Sequence, residues 1–168
     1  AADNRLEAVL LYGSWTTGEA DEHSDLEAYL YVEDAHLATF DGRLFVAQLA
    51  PLRLAYANLY GILAVIFDDL MRGEFHVEAA STGIPDVSSW QGLVHLPDPA
   101  AAVLLDRSGR LTKQAAALST RVPPEAIVTA RQLVDELTNW TLMLVHVLRR
   151  GEVARAHHVL HAVVAPFQ

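Results

Sequence analysis

Two carboxylates one residue apart, Asp25 and Glu27, stand about ten residues after a Gly13-Ser14 pair. Side chains alternate along a strand, so Ser24-Asp25-Leu26-Glu27-Ala28-Tyr29-Leu30 in extended form sends Asp25 and Glu27 to one face and Leu26, Ala28 and Leu30 to the other. Ionised carboxylates side by side repel, and a cation relieves them. Hard oxygen donors suit Mg²⁺, which binds through one or two carboxylates together with phosphate oxygens and water. The stretch before them, Leu11-Tyr12-Gly13-Ser14, reads as a strand running into a sharp turn. Glycine there lets backbone approach a ligand, and Ser14 offers a hydroxyl at the start of a short helix, so the pair reads as a phosphate cradle.

A third acidic candidate lies in Arg72-Gly73-Glu74-Phe75-His76-Val77-Glu78, where Glu74, His76 and Glu78 share one strand face. If this strand pairs beside the first, Glu74 reaches the same place, as a third metal ligand or as a base for an incoming hydroxyl. Arg72 is a candidate for stabilising phosphate charge. Each piece alone has a plain reading: a Gly-Ser turn, a solvated Asp-x-Glu face, an edge-strand charge. The combination in this order is more specific. His157 and His161 lie one helical turn apart, but no Glu follows His157 in the metalloprotease manner and cysteine is absent, so they read as an exposed helix face. Trp140, between Leu137 and Leu144, reads as core.

Positioning such groups takes a sheet. Strand patterns cover 7–12, 25–32, 54–58, 62–67, 73–78 and 102–106, bounded by Asn58, Gly61, Gly73 and Pro97. After about Leu111 helical periodicity takes over: Pro123-Pro124-Glu125 opens a helix running to Arg149, with Leu133, Leu137, Trp140, Leu144 and Leu148 on one face. A second helix spans 153–164, beyond Gly151. The predicted architecture is α+β, a small mixed sheet over residues 1–108 followed by a helical part over 109–168. The apolar faces of the two helices call for further partners, from more helical segments or a second subunit, and a homodimer is expected.

At 168 residues and 52% hydrophobic, the chain can build a core. Its net charge of −9 argues against a nucleic-acid backbone as main partner. The longest uncharged stretch, 54–67, is too short for a bilayer span and carries Asn58 and Gly61. No membrane partner is expected, and with no signal-like start and no cysteine, a cytoplasmic location is.

These residues resemble the nucleotidyltransferase superfamily that includes DNA polymerase beta, whose pattern is Gly-Ser, a short helix, then Asp-x-Asp or Asp-x-Glu on a strand. Within it the chain is most similar to the type-B lincosamide nucleotidyltransferases, which adenylylate a sugar hydroxyl of lincosamide antibiotics. The likeness continues through Tyr60-Gly61, Val65-Ile66-Phe67-Asp68, Arg72-Gly73-Glu74-Phe75-His76, Pro97-Asp98, Asp106, Asn139-Trp140 and Leu148-Arg149-Arg150-Gly151-Glu152. It implies ATP as co-substrate, a small-molecule hydroxyl as acceptor, triphosphate on Gly13 and Ser14, magnesium on Asp25 and Glu27, and Glu74 as catalytic base. Relatives tend to carry a basic residue where this chain has Thr17, which shifts weight to Arg72. The resemblance also implies further helices before Ala1 and after Gln168. An aminoglycoside nucleotidyltransferase, or a non-catalytic antitoxin-like module binding a helical partner, are the rival readings.

Overall fold

Six strands form one mixed sheet in a computed structural model that describes residues 3–121 and 129–164. They are β1 (Leu6–Tyr12), β2 (Leu26–Val32), β3 (Leu52–Ala57), β4 (Leu63–Phe67), β5 (Arg72–Ala79) and β6 (Val103–Asp106), in the spatial order β3-β4-β5-β2-β1-β6. Every strand pattern in the sequence is thus a strand, with ends moved by one or two residues. Only β2 and β5 run parallel, with Glu27 opposite Glu74, Tyr29 opposite His76 and Tyr31 opposite Glu78. The remaining neighbours are antiparallel.

Short helices cover the sheet: α1 (Ser14–Thr17), α2 (Asp34–Leu37), α3 (Gly42–Val46), α4 (Ala80–Asp86), α5 (Pro99–Ala102) and α6 (Arg110–Ala115). On one face Ala8, Leu10 and Tyr31 pack with Ile84 of α4, Ala102 of α5, Leu111 and Ala115 of α6, and Leu118. On the other, Ala28, Leu30, Val32, Val65 and Phe75 pack with Val46 of α3. Both faces therefore carry core, which corrects the simple division of β2 into an apolar face and a carboxylate face. Glu27 shares its face with the fully buried Tyr31 four residues on.

The first compact unit spans Ala1–Pro124 and the second Glu125–Gln168. Helix α6 belongs to the first because Leu111, Ala115 and Leu118 complete its core, so the sheet's unit extends beyond residue 108. The second unit holds α7 (Ala130–Arg149) and α8 (Val153–Val164), packed on each other. Thr129 caps α7, accepting from Gln132 N while the Gln132 side chain accepts from Thr129 N. The expected helix start at Pro124-Glu125 lies outside the described residues. Trp140 is not core: it is 37% exposed and its indole N–H donates to Glu136 Oε2 at 2.8 Å. Val134, Leu137, Leu142 and Leu148 are exposed as well, so α7 buries Val147 and leaves most of its apolar side chains in solvent.

Candidate active site

Chain direction brings the chemistry together at one end of the sheet. The C-terminal end of β1 and the N-terminal ends of the parallel β2 and β5 meet there, and Tyr12, Glu27 and Glu74 fall in register side by side. Asp25 stands one residue ahead of β2. The sequence left the pairing of the two acidic strands open, and the β2–β5 ladder makes Glu27 and Glu74 direct neighbours.

Gly13, at the end of β1, has φ 74° and ψ −156°, a conformation that only glycine adopts freely. A Cβ at this position would collide with Glu27 Oε2 and lie 3.1 Å from Glu27 Cδ. The Glu27 carboxylate thus rests on the glycine backbone itself. Burial pushes its pKa up, and the charges of Asp25 and Glu74 push it further, against a smaller opposing pull from Arg72. Arg72 Nη1 lies 3.6 Å from Asp25 Oδ2 and Nη2 lies 3.9 Å from Glu74 Oε1, both long for ion pairs. One guanidinium thus faces two carboxylates and pairs closely with neither.

The residues singled out in the sequence as site candidates, Gly13, Ser14, Asp25, Glu27, Arg72 and Glu74, all lie at or beside this end of the sheet. Ser14 begins α1, a single turn closed by Thr16 N donating to Gly13 O and by Glu19 N donating to Ser14 O. Thr17 is spent locally, its hydroxyl lying within hydrogen-bond distance of Ser14 O and Glu19 Oε2.

Four neighbours escaped the sequence reading: Tyr12, Tyr29, Trp90 and Trp15. Tyr12 Oη and His76 Nε2 share a 3.0 Å hydrogen bond, and His76 stacks on Tyr29 with ring centroids 4.0 Å apart. Trp90 closes on the far side of Tyr29 at 4.7 Å, so an aromatic wall runs inward from the carboxylates. Burial holds His76 below the ordinary histidine value, and hence neutral near pH 7. Burial and the surrounding carboxylates raise the Tyr12 phenol. The alternation that placed His76 with Glu74 also places Tyr29 with Glu27; what it could not supply was the neighbour across the ladder. Trp15, the fourth, is tied in by its indole N–H, which donates to Asp25 O at 2.8 Å.

Among the described residues no three acidic or histidine side chains converge as a ready metal cage. The donor set nevertheless fits a hard cation that completes its shell with phosphate oxygens, because Asp25 and Glu27 are oxygen-only donors and Glu27 sits in a cradle that a Cβ would fill. His157, His158 and His161 are exposed on α8 and far from such a role. No helix among the described residues is long and apolar enough to cross a membrane. In comparisons with known proteins, no family model and no curated protein matches the chain.

Proposed function

We propose that this chain is a magnesium-dependent nucleotidyltransferase that moves AMP from ATP to a hydroxyl of a small molecule, a lincosamide-type antibiotic. The observation that carries the reading is the register of β2 and β5, which sets Glu27 beside Glu74 with Asp25 adjacent and Arg72 facing Asp25 and Glu74. Three like charges on neighbouring strands are unfavourable for a sheet unless they serve a ligand.

In this reading Asp25 and Glu27 hold magnesium, which offsets charge on the phosphates and the leaving pyrophosphate. Gly13 and Ser14 receive the triphosphate where the β1 backbone turns, and Arg72 contacts its oxygens. Glu74 accepts the proton of the acceptor hydroxyl as that oxygen bonds to the α-phosphorus. The bond from the α-phosphorus to the bridging oxygen breaks, and the pyrophosphate leaves with that electron pair. Tyr12 and His76 border Glu74 as a neutral hydrogen-bonded pair, so they add no competing charge there.

The apolar side chains that α7 exposes support a homodimer, and a cytoplasmic setting suits intracellular ATP. The test is incubation with magnesium, ATP and a panel of lincosamides and aminoglycosides, read by mass spectrometry for an AMP adduct. A lincosamide adduct is expected. An adduct on aminoglycosides alone would move the acceptor assignment, and no adduct on any acceptor would sink the reading.

A further inference from the structure

We infer that Trp15 is the stacking platform for the nucleobase of the co-substrate and that the cleft beside it selects a purine; this rests on the nucleotidyltransferase reading above. The cleft has a volume of about 480 Å³ and lies between the loop leading into β2 and the turn between β4 and β5. Its two functional walls are Trp15 and Arg72. Trp15 leaves 48% of its surface exposed although it is a large apolar side chain, and its indole is held in place by the 2.8 Å bond to Asp25 O. The ring is thus both fixed and open, so a flat ligand can settle on it without first ordering it.

Arg72 joins this cleft to the carboxylates, since the guanidinium that lines it also faces Asp25 and Glu74. A triphosphate held at the Gly13-Ser14 turn therefore has the cleft as adjoining space, and the part of a nucleotide that suits an indole is its base. Leu70 and Met71 supply an apolar edge. Three acidic residues also line the cleft, Asp21, Glu22 and Asp69. Asp21 Oδ1 accepts from His23 N and Ser24 Oγ, and Asp69 Oδ1 accepts from Met71 N, so both shape their own loops, while Glu22 stands in solvent with Oε1 3.7 Å from His23 Nε2. With Arg72 turned to the carboxylates and the phosphates, the surface that suits a base is the flat face of Trp15 with the Leu70–Met71 edge beside it. The fused rings of a purine cover more of an indole than a pyrimidine does.

Calorimetric titration of the full chain with ATP, UTP and inorganic tripolyphosphate, each with magnesium, tests this. Trp15→Ala should weaken ATP by roughly ten- to a hundredfold, the range of a single base–aromatic stack, and leave tripolyphosphate unchanged. Trp15→Phe keeps a ring but loses the N–H bonded to Asp25 O, and should retain most of the ATP affinity. Wild type should bind ATP more tightly than UTP, and the difference should shrink in Trp15→Ala. Equal ATP affinity in wild type and Trp15→Ala overturns the platform. Parallel loss of ATP and tripolyphosphate also overturns it, making Trp15 a prop for Asp25. ATP and UTP bound alike by wild type overturn the purine assignment. Wild type binding neither ATP nor tripolyphosphate brings down the nucleotidyltransferase reading and this inference with it. Should Trp15→Ala fail to fold, fluorescence of Trp15 in a Trp90→Phe, Trp140→Phe background reads the same contact: quenching by ATP but not tripolyphosphate supports it, and no quenching refutes it.

Discussion

Gly13→Ala separates two jobs that one glycine performs. The first is conformational: φ 74° with ψ −156° lies in a region essentially closed to side chains, so alanine there costs about 1–3 kcal/mol of stability. The second is steric: the added Cβ meets Glu27 Oε2, the tip of a flexible side chain. That tip can swing aside at little cost to folding, but the carboxylate then leaves its place beside Asp25. The variant should therefore lose about 1–3 kcal/mol in urea unfolding and, separately, roughly 10–100-fold in magnesium-dependent nucleotide affinity, the usual effect of displacing a metal site's support. Gly18→Ala is the control. Gly18 is also left-handed, at φ 78° and ψ 15°, but a Cβ there meets nothing within 4 Å. It should lose about 1–2 kcal/mol for the same kind of backbone reason and keep its nucleotide affinity. Unchanged affinity in Gly13→Ala would refute the argument that this contact positions Glu27. So would equal affinity losses in both variants, which would point to a loop made loose by strain alone.

If Glu27 holds magnesium as proposed, binding should depend on pH, because burial, Asp25 and Glu74 raise its pKa above the ordinary 4.5 and the metal competes with its proton. Magnesium affinity should fall as the pH drops, and Glu74→Gln, which removes one of the charges that raise Glu27, should shift that fall to lower pH; an unmoved profile refutes the coupling. The stability sign is opposite to that of an ion-paired carboxylate. With the folded pKa raised, metal-free protein is favoured below the unfolded value and loses that contribution as pH rises through the folded value, so urea midpoints should rise on acidification across that window in wild type and not in Glu27→Gln. Glu74→Gln should cut turnover by roughly 10²–10⁴ with ATP still bound, in a stopped assay of AMP transfer. If magnesium-ATP affinity falls alongside, Glu74 is a metal ligand, and an unchanged rate removes it from the mechanism. Light scattering should find a homodimer through the exposed side chains of α7, and a monomer over a wide concentration range would count against it.

How far the sequence reveals this arrangement depends on how local each feature is. Alternation is local, so Glu74-Phe75-His76-Val77-Glu78 declares its two faces without reference to anything else. Pairing is not local: β2 and β5 are neighbours only because β3 and β4 turn away to the sheet edge, and no pattern within either strand encodes that. The end of the first unit was hard to read for a related reason. Helix α6 has six residues, too few for a periodic stripe, and the inward-facing Leu111 and Ala115 become meaningful only against Leu10 and Ile84. Trp140 misleads in the opposite direction, since its spacing from Leu137 and Leu144 is the signature of a packed face, and that face stands largely in solvent.

One sheet face serves two purposes, and its chemistry changes along its length. At Tyr31, four residues into the ladder from Glu27, the side chain is fully buried under α4. Between them Tyr29 stacks on His76 and meets Trp90 at a tilt of 41°, half in and half out. Packing alone would favour continuing that apolar run to the strand ends, because three carboxylates in place of Leu or Val bury less apolar surface and repel one another. The compensation present is slight, one exposed guanidinium at 3.6 and 3.9 Å. A fold that carries its core up to the edge of such a cluster, and seats one carboxylate against a strained glycine, gives up stability at a single spot. Departures of this kind concentrate where a ligand supplies the missing interaction. That is why the charge imbalance, more than any single residue type, argues for a cation at this end of the sheet.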